Sequence, residues 1–367
     1  MAKNKPMTAR TAQQISDDAI RHQVFLERLK SGYVKDLTSA VKQAEDAVIN
    51  ILRDLESDDL SDLTRRQLEA LLERINTAQQ EILNKSTKQF QRDLNDTAKF
   101  EAEREAKVLD QWASRVASGT PKFKVPSASA ILERVQTQPI HATGQLLQGF
   151  IDSYSASVVR RAEGVVRNGW SQGKTIGDIT RQLRGTKKAN YKDGLGIQSR
   201  REAEAVARTA VQQVANTART ATWEANSDVV KGYIIIATLD GVTTAICRSL
   251  DKQRFKIGKG PMPPLHVNCR STTIADLGPA FDFLDKGATR SSADGYVSSK
   301  LSYYDWLKTQ EPEFVKDALG ATRAKLFTDG GLSAGQFAKL NLGRDFEPLT
   351  LAEMREKDAA AFKRAGL

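Results

Sequence analysis

The sequence predicts a mainly α fold with a small α+β central domain, and three observations carry that expectation. No proline falls between Pro6 and Pro121, so helices there can run uninterrupted. Apolar residues in the same stretch recur at steps of three and four, the helical period. The one strongly β-branched and aromatic run, Tyr233 to Leu239 (YIIIATL), sits well inside the chain. At 367 residues the chain exceeds one compact core, so two or three domains are expected.

Composition narrows the class further. A hydrophobic fraction of 40% with 27% charged residues is that of a soluble globular protein. No stretch reaches the roughly 20 apolar residues that span a bilayer, so no membrane anchor is expected. Lys and Arg number 55 against 45 Asp and Glu, a net charge of +10, which favours polyanionic surroundings without identifying a target. Two cysteines exclude a disulfide framework.

The elements follow in order. Residues 1–10 (MAKNKPMTAR) read as a basic mobile tail rather than a secretory signal. Residues 11–119 read as a long helical hairpin. Leu37, Val41, Ala44, Val48, Ile51 and Leu55 form one narrow stripe. The segment 56–64 (ESDDLSDLT) is a turn, and Leu68, Leu72, Ile75, Ala78 and Ile82 continue on a second stripe toward Phe90 and Leu94. A short turn makes the pair antiparallel. Its apolar seam serves either a docking arm or packing inside the chain.

The stretch 118–130 (SGTPKFKVPSASA) is a break and the first domain boundary. The central domain is placed at 120–279, with its core at 145–275. A helix starts near Gln145 and stops at Gly173, Thr175 and Asp178 cap a short one, and 185–196 is a basic glycine-containing loop. Ser199 and Glu202 are read as the capping box of a helix with a small-residue face: Ala203, Ala207, Ala210, Val214, Ala218 and Ala221. Trp223 is assigned to the core. Asp240-Gly241 is a two-residue turn signal, so 233–239 and 242–247 are expected to pair as a β-hairpin. The rest, 280–367, reads as a separate helical region in which 291–299 (SSADGYVSS) is loop and Thr350 with Glu353 caps the last helix.

Cys247, His266 and Cys269 are donors suited to zinc. A structural site normally takes four protein ligands. Asp251 or Asp240 would be the fourth, although the spacing requires neither. Three states stay open: one structural zinc, two reduced buried thiols with no cofactor, or a Cys247–Cys269 disulfide.

Catalytic patterns fare worse. His266-Val267-Asn268 lacks the glutamate of a zinc deaminase. The three histidines, His22, His141 and His266, do not form H-E-x-x-H. Gly258-Lys259-Gly260 is not a phosphate loop. His22 and His141 are placed on the surface. Arg248 and Arg270 suit either phosphate contact or pairing with Asp240 and Asp251, and the pairing is favoured.

One series is more specific: T-L-D-G-V-T-T-A-I-C-R-S-L-D at 238–251, then P-P-L-H-V-N-C-R-S at 263–271. The helices before it carry N-G-W-S-Q-G-K-T-I-G-D-I-T-R-Q-L-R at 168–184, the pair Arg208-Thr209, and Asn216 with Arg219. This series resembles the phage Mu F-like minor head proteins, the phage head morphogenesis family. The matching positions are Arg208, Thr209, Asp240, Gly241, Cys247, Arg248, Asp251, Pro264, His266, Asn268, Cys269 and Arg270. A secondary similarity covers 303–327 and 349–356. The family often reads L-D-G where this chain has Leu250-Asp251-Lys252, and H-P-N-C-R-C where it has His266 to Ser271. Ser271 thus removes a soft ligand.

The resemblance implies a minor capsid component that enters the procapsid in few copies at the portal vertex, with no catalytic turnover. It implies the portal and other head proteins as partners, and an oligomeric state set by that vertex. Synthesis in the host bacterial cytoplasm and residence in the virion follow. A DNA-binding internal protein touching packaged or ejected genome is the alternative; a metal-dependent nuclease or toxin-like enzyme is the third class.

Overall fold

The computed structural model describes residues 9–55, 59–116, 122–278 and 289–367. The molecule is mainly α with small antiparallel strand pairs: the described residues are 64% helical and hold 13 α-helices. Most of the expected 1–10 tail, part of the 56–64 turn, the start of the 118–130 break and the 279/280 boundary fall outside the described residues. Among the described residues no helix is long and apolar enough to cross a membrane.

Packing gathers the described residues into two compact units. One draws on Leu26–Lys99 and Leu132–Val214; the other on Met1–Phe25, Phe100–Ile131 and Ala215–Leu367.

The first of these units holds most of the helical pair α1 (Ala9–Arg53) and α2 (Arg65–Val116). Leu37, Val41, Ala44 and Val48 are buried as the stripe requires, and so are Leu68, Leu72 and Ile75. The second stripe then drifts. Leu83, not Ile82, is buried, with Gln79 and Thr87 beside it, because 3.6 residues per turn walks away from a strict seven-residue repeat. The Tyr33 and Phe90 rings meet at 5.1 Å.

Near the turn, Val48, Ile49, Leu52, Leu60, Leu68 and Leu72 share one core with Ala162, Val165, Ile176 and Ile179. Here the hairpin packs within the chain. The partners come from α4 (Leu147–Ser171) and α5 (Ile176–Arg184), which follow the short α3 (Ala128–Thr137). α4 ends at Gly173, whose φ is +61°. Gly169 lets α5 approach: a Cβ there would lie 2.4 Å from Ile179 Cδ1. Thr175 caps α5 by accepting from the Asp178 amide.

α6 runs Gly196–Glu224, so the expected capping box at Ser199 and Glu202 is not used. The helix starts one turn earlier. Ser199 is buried and accepts from Arg161 Nη1 at 2.7 Å, while Glu202 pairs with Arg161 and Ser157. Tertiary partners outcompete a local cap. Ala203, Ala207 and Ala210 are fully buried as their size suggested.

In the other unit, β1 (Gly232–Ile236) is the central strand of three, flanked antiparallel by β2 (Arg254–Phe255) and β3 (Thr272–Asp276). The strand overlaps the expected 233–239 but ends at Ile236, and its expected partner is not a strand. Residues 242–247 do not return as a strand, and α7 (Ala245–Leu250) starts there instead. The reason is local and tertiary at once. Asp240 Oδ1 accepts from the Val242 and Thr243 amides, an Asx turn that feeds a helix. Neither Asp240 nor Gly241 adopts the positive φ of a two-residue hairpin turn. Both edges of β1 are already taken.

The true hairpin lies in the segment expected to be loop: β4 (Thr289–Ser292) pairs with β5 (Gly295–Ser298). Its strands are short and rich in serine and threonine, so no apolar alternation marks them. Gly295, at φ +115°, makes the turn possible.

Six short helices complete the chain: α8 (Tyr303–Leu307), α9 (Pro312–Leu319), α10 (Ala321–Asp329), α11 (Ala334–Leu340), α12 (Leu351–Lys357) and α13 (Ala359–Arg364). They close around Tyr303, Tyr304, Trp306, Phe327 and Phe337. Helices this short depend on their ends. Capping boxes open α8, α11 and α12, the last at the predicted Thr350 and Glu353. Ser302→Ala, which removes the α8 cap, is expected to lower stability by about 1 kcal/mol in urea unfolding, with the far-ultraviolet spectrum unchanged.

Candidate functional site

The site is built where α7 meets the loop before β3. The Asp240 turn sets the start of α7, whose buried side includes Ile246, Cys247 and Leu250. After β2 the chain turns at Gly258 and Gly260, both at positive φ, and runs through buried Pro263, Pro264 and Leu265. A tight turn follows, in which the Cys269 amide donates to His266 O at 3.1 Å and Asn268 takes φ +63°. β3 then carries the chain back beside β1.

This path brings Cys247 and Cys269, 22 positions apart, to an Sγ–Sγ distance of 3.7 Å. Both thiols are free and buried. One donor atom each from Cys247, His266 and Cys269 lie within 4.8 Å of one another. His266 is half-buried, and its Nδ1 sits 2.8 Å from Val267 O. A carbonyl only accepts, so Nδ1 is the nitrogen that donates there. The pair of thiols is electrically uneven. The hydrogen bond between the sulfurs, reinforced on one side by His266, holds the Cys269 thiol well below its usual range. The same bond, together with burial, pushes Cys247 well above its own.

The charged residues of the series bind one another and the backbone, although Arg248 Nε is buried without a hydrogen bond among the described residues. Arg270 reaches Asp240 with two bonds, 2.7 and 3.0 Å. Burial opposes ionisation of Asp240, but the Arg270 and Thr243 bonds outweigh it and its pKa is lowered. Among the described residues Arg248 is not paired with a carboxylate. It donates to Ala318 O at 2.6 Å and Gly241 O at 3.0 Å, and its guanidinium lies over the Tyr303 ring.

Asp251 does not join the Cys-His-Cys group. Its carboxylate accepts from the Ala237 amide at 2.7 Å and is clasped by Arg290 at 2.8 and 3.0 Å. Asp240 is likewise committed to Arg270, so neither carboxylate is placed as the fourth ligand. The 3.7 Å separation equally means that the two sulfurs are not bonded.

Asn216 and Arg219 tie α6 to the same place. Asn216 donates to Pro263 O at 3.0 Å and accepts from Thr273 and Arg219, while Arg219 also donates to Thr273 O at 3.1 Å. Arg208 and Thr209 belong to the other unit, where Arg208 pairs with Glu204 and Glu27 and Thr209 is fully buried.

One histidine was misjudged. His22 is buried, its Nε2 2.9 Å from Glu101, and Arg219 flanks the same carboxylate at 3.8 Å. Burial depresses the His22 pKa despite that bond. The legible signal was Glu101 and Glu105, which continue the apolar steps of α2 from Leu94 and Ala98. A carboxylate on a buried seam needs a partner. His141 is exposed, as expected.

Residues 161–274 match the family model described as Phage Mu protein F like protein. This segment of the chain is Mu F-like. The Mu F-like segment begins in α4, ends in β3, and contains all twelve of the family positions read from the sequence. The C-terminal stretch of secondary similarity lies outside it. No curated protein and no solved structure matches the chain.

Proposed function

We propose that the chain is a head morphogenesis protein of a tailed phage, a virion component that docks at the portal vertex and assists assembly and DNA packaging or delivery without catalytic turnover. The Mu F-like match over 161–274 carries this reading. The interior of that segment agrees with a scaffold role: Asp240, Arg248, Asp251 and Arg270 all bind other parts of the chain. A group held in this way is positioned for structure rather than for attack on a substrate.

The test is made on particles. Quantitative mass spectrometry of purified virions and procapsids is expected to find the chain in few copies, cross-linked to the portal subunit. Particles and precursors that lack it would end the proposal.

A second reading, contact with genomic DNA, is favoured by one surface feature. Lys187, Lys188, Tyr191 and Lys192 are exposed together on the 185–196 loop. Filter binding of the full chain to duplex DNA is then expected to weaken steeply as salt rises. Binding that is absent, or indifferent to salt, removes this reading and leaves the first intact.

A further inference from the structure

We propose that Cys247, His266 and Cys269 bind one zinc ion per chain, with the fourth coordination place open to solvent or a small ligand. The inference is independent of the role in head assembly, since it rests on donor geometry alone.

The first argument is a distance. Two thiolates bound to one tetrahedral zinc, each at about 2.3 Å, stand roughly 3.8 Å apart. The observed Sγ–Sγ distance is 3.7 Å. A disulfide would need about 2.05 Å. The sulfurs are therefore set at the edge length of a metal tetrahedron, far outside bonding range of each other.

The second argument is the orientation of the histidine. Zinc-ligating imidazoles usually donate their other ring N–H to a carbonyl or carboxylate, which fixes tautomer and ring plane. His266 Nδ1 makes such a bond to Val267 O, and the imidazole supplies one ring nitrogen to the three-donor group.

Charge and access fit as well. Two thiolates neutralise a divalent cation, so the centre is compatible with the burial of both cysteines. The nearest cationic side chain in the series, Arg270, is held by Asp240. Asp251, held by Arg290, does not supply a fourth donor. Beside the group lies a cavity of about 260 Å³, lined also by Thr238, Val242, Thr243 and Ser271, which gives the fourth place a water-sized entrance. Bound there, the ion would join α7 to the start of β3 without a disulfide, the more durable link in a reducing cytoplasm.

The experiment uses the full chain made without a polyhistidine tag. After incubation with excess zinc and desalting, elemental analysis is expected to return one zinc per chain. Cobalt(II) in its place is expected to give thiolate-to-metal charge transfer in the near ultraviolet and strong visible bands of tetrahedral geometry. Cys269→Ser should abolish both. His266→Ala should weaken zinc binding at least tenfold, whereas His141→Ala should leave it unchanged. Should Cys269→Ser fail to fold, alkylation of the wild-type chain decides: zinc is expected to protect Cys247 and Cys269 together. Substoichiometric zinc, a cobalt spectrum without charge transfer, alkylation indifferent to zinc, or a Cys247–Cys269 disulfide in anaerobically prepared protein each overturns the proposal.

Discussion

Asp251→Ala is expected to cost about 3–5 kcal/mol, because it leaves a buried guanidinium without its counter-charge. The Asp251 side chain is 0% exposed and that of Arg290 is 10% exposed. The carboxylate does two jobs. It neutralises Arg290 through two bonds and it accepts from the Ala237 amide just beyond β1. Removing it strands both donors. Arg290 also donates to Ala237 O and Leu301 O, so the pair joins the end of β1, the end of α7 and the β4–β5 hairpin. Urea unfolding followed by tryptophan fluorescence checks the loss. Replacing both residues with apolar ones of similar volume should cost clearly less than the two single changes added together. A loss for Asp251→Ala no greater than that for Glu69→Ala, whose pair with Arg167 is solvent-exposed, would show that the buried pair is not the clasp described.

Trp223→Ala is expected to cost a similar amount, about 3–5 kcal/mol, by opening a cavity where the ring was. Trp223 is fully buried and shares a core with Leu109, Tyr233, Ile235 and Leu265. It stacks on Tyr233 with centroids 6.4 Å apart, and its indole N–H donates to Glu105 Oε1 at 2.7 Å. Burial already raises the Glu105 pKa, and loss of the indole donor should raise it further. Trp223→Phe separates the two contributions. It keeps most of the packing and removes the donor, so its loss should fall well below that of the alanine variant. Trp112, Trp170 and Trp306 remain as reporters in both. Equal losses for the two variants would mean that the hydrogen bond, not the volume, dominates.

These two residues differ in how visible they were. Trp223 stands near the end of α6, and a large aromatic there was assigned to the core by its residue type. Local logic found the α1 stripe, the start of the α2 stripe, and the caps at Thr175 and Thr350. The family positions around Cys247, His266 and Cys269 were also legible, as an ordered series of residue types. Arg290 was not. It stands in a serine- and threonine-rich strand, 39 positions from Asp251, and nothing near it in the chain announces burial. His22 has its partner Glu101 79 positions away, and there the trace in the sequence lay on the partner's seam rather than beside the histidine.

The β-hairpin expected at Asp240-Gly241 shows how a strong local signal is overruled. Asp-Gly favours a primed turn when its flanks can pair. Here β2 and β3 occupy both edges of β1, and the Asp240 carboxylate, fixed by Arg270, organises a helix start instead. That choice places Cys247 on α7 rather than on a strand, and so decides where its sulfur meets Cys269.

Residue order alone therefore determined the main helical stripes, the caps at Thr175 and Thr350, the core of the central strand and the likeness of the middle segment to the Mu F-like family, since each depends on neighbours within a few turns or on residue types in sequence. Which strand edge is filled, which carboxylate meets which arginine, and how far apart two sulfurs come to rest depend on chain segments tens of residues distant. Their energies arise from burial and charge pairing, which exist only once the chain has closed.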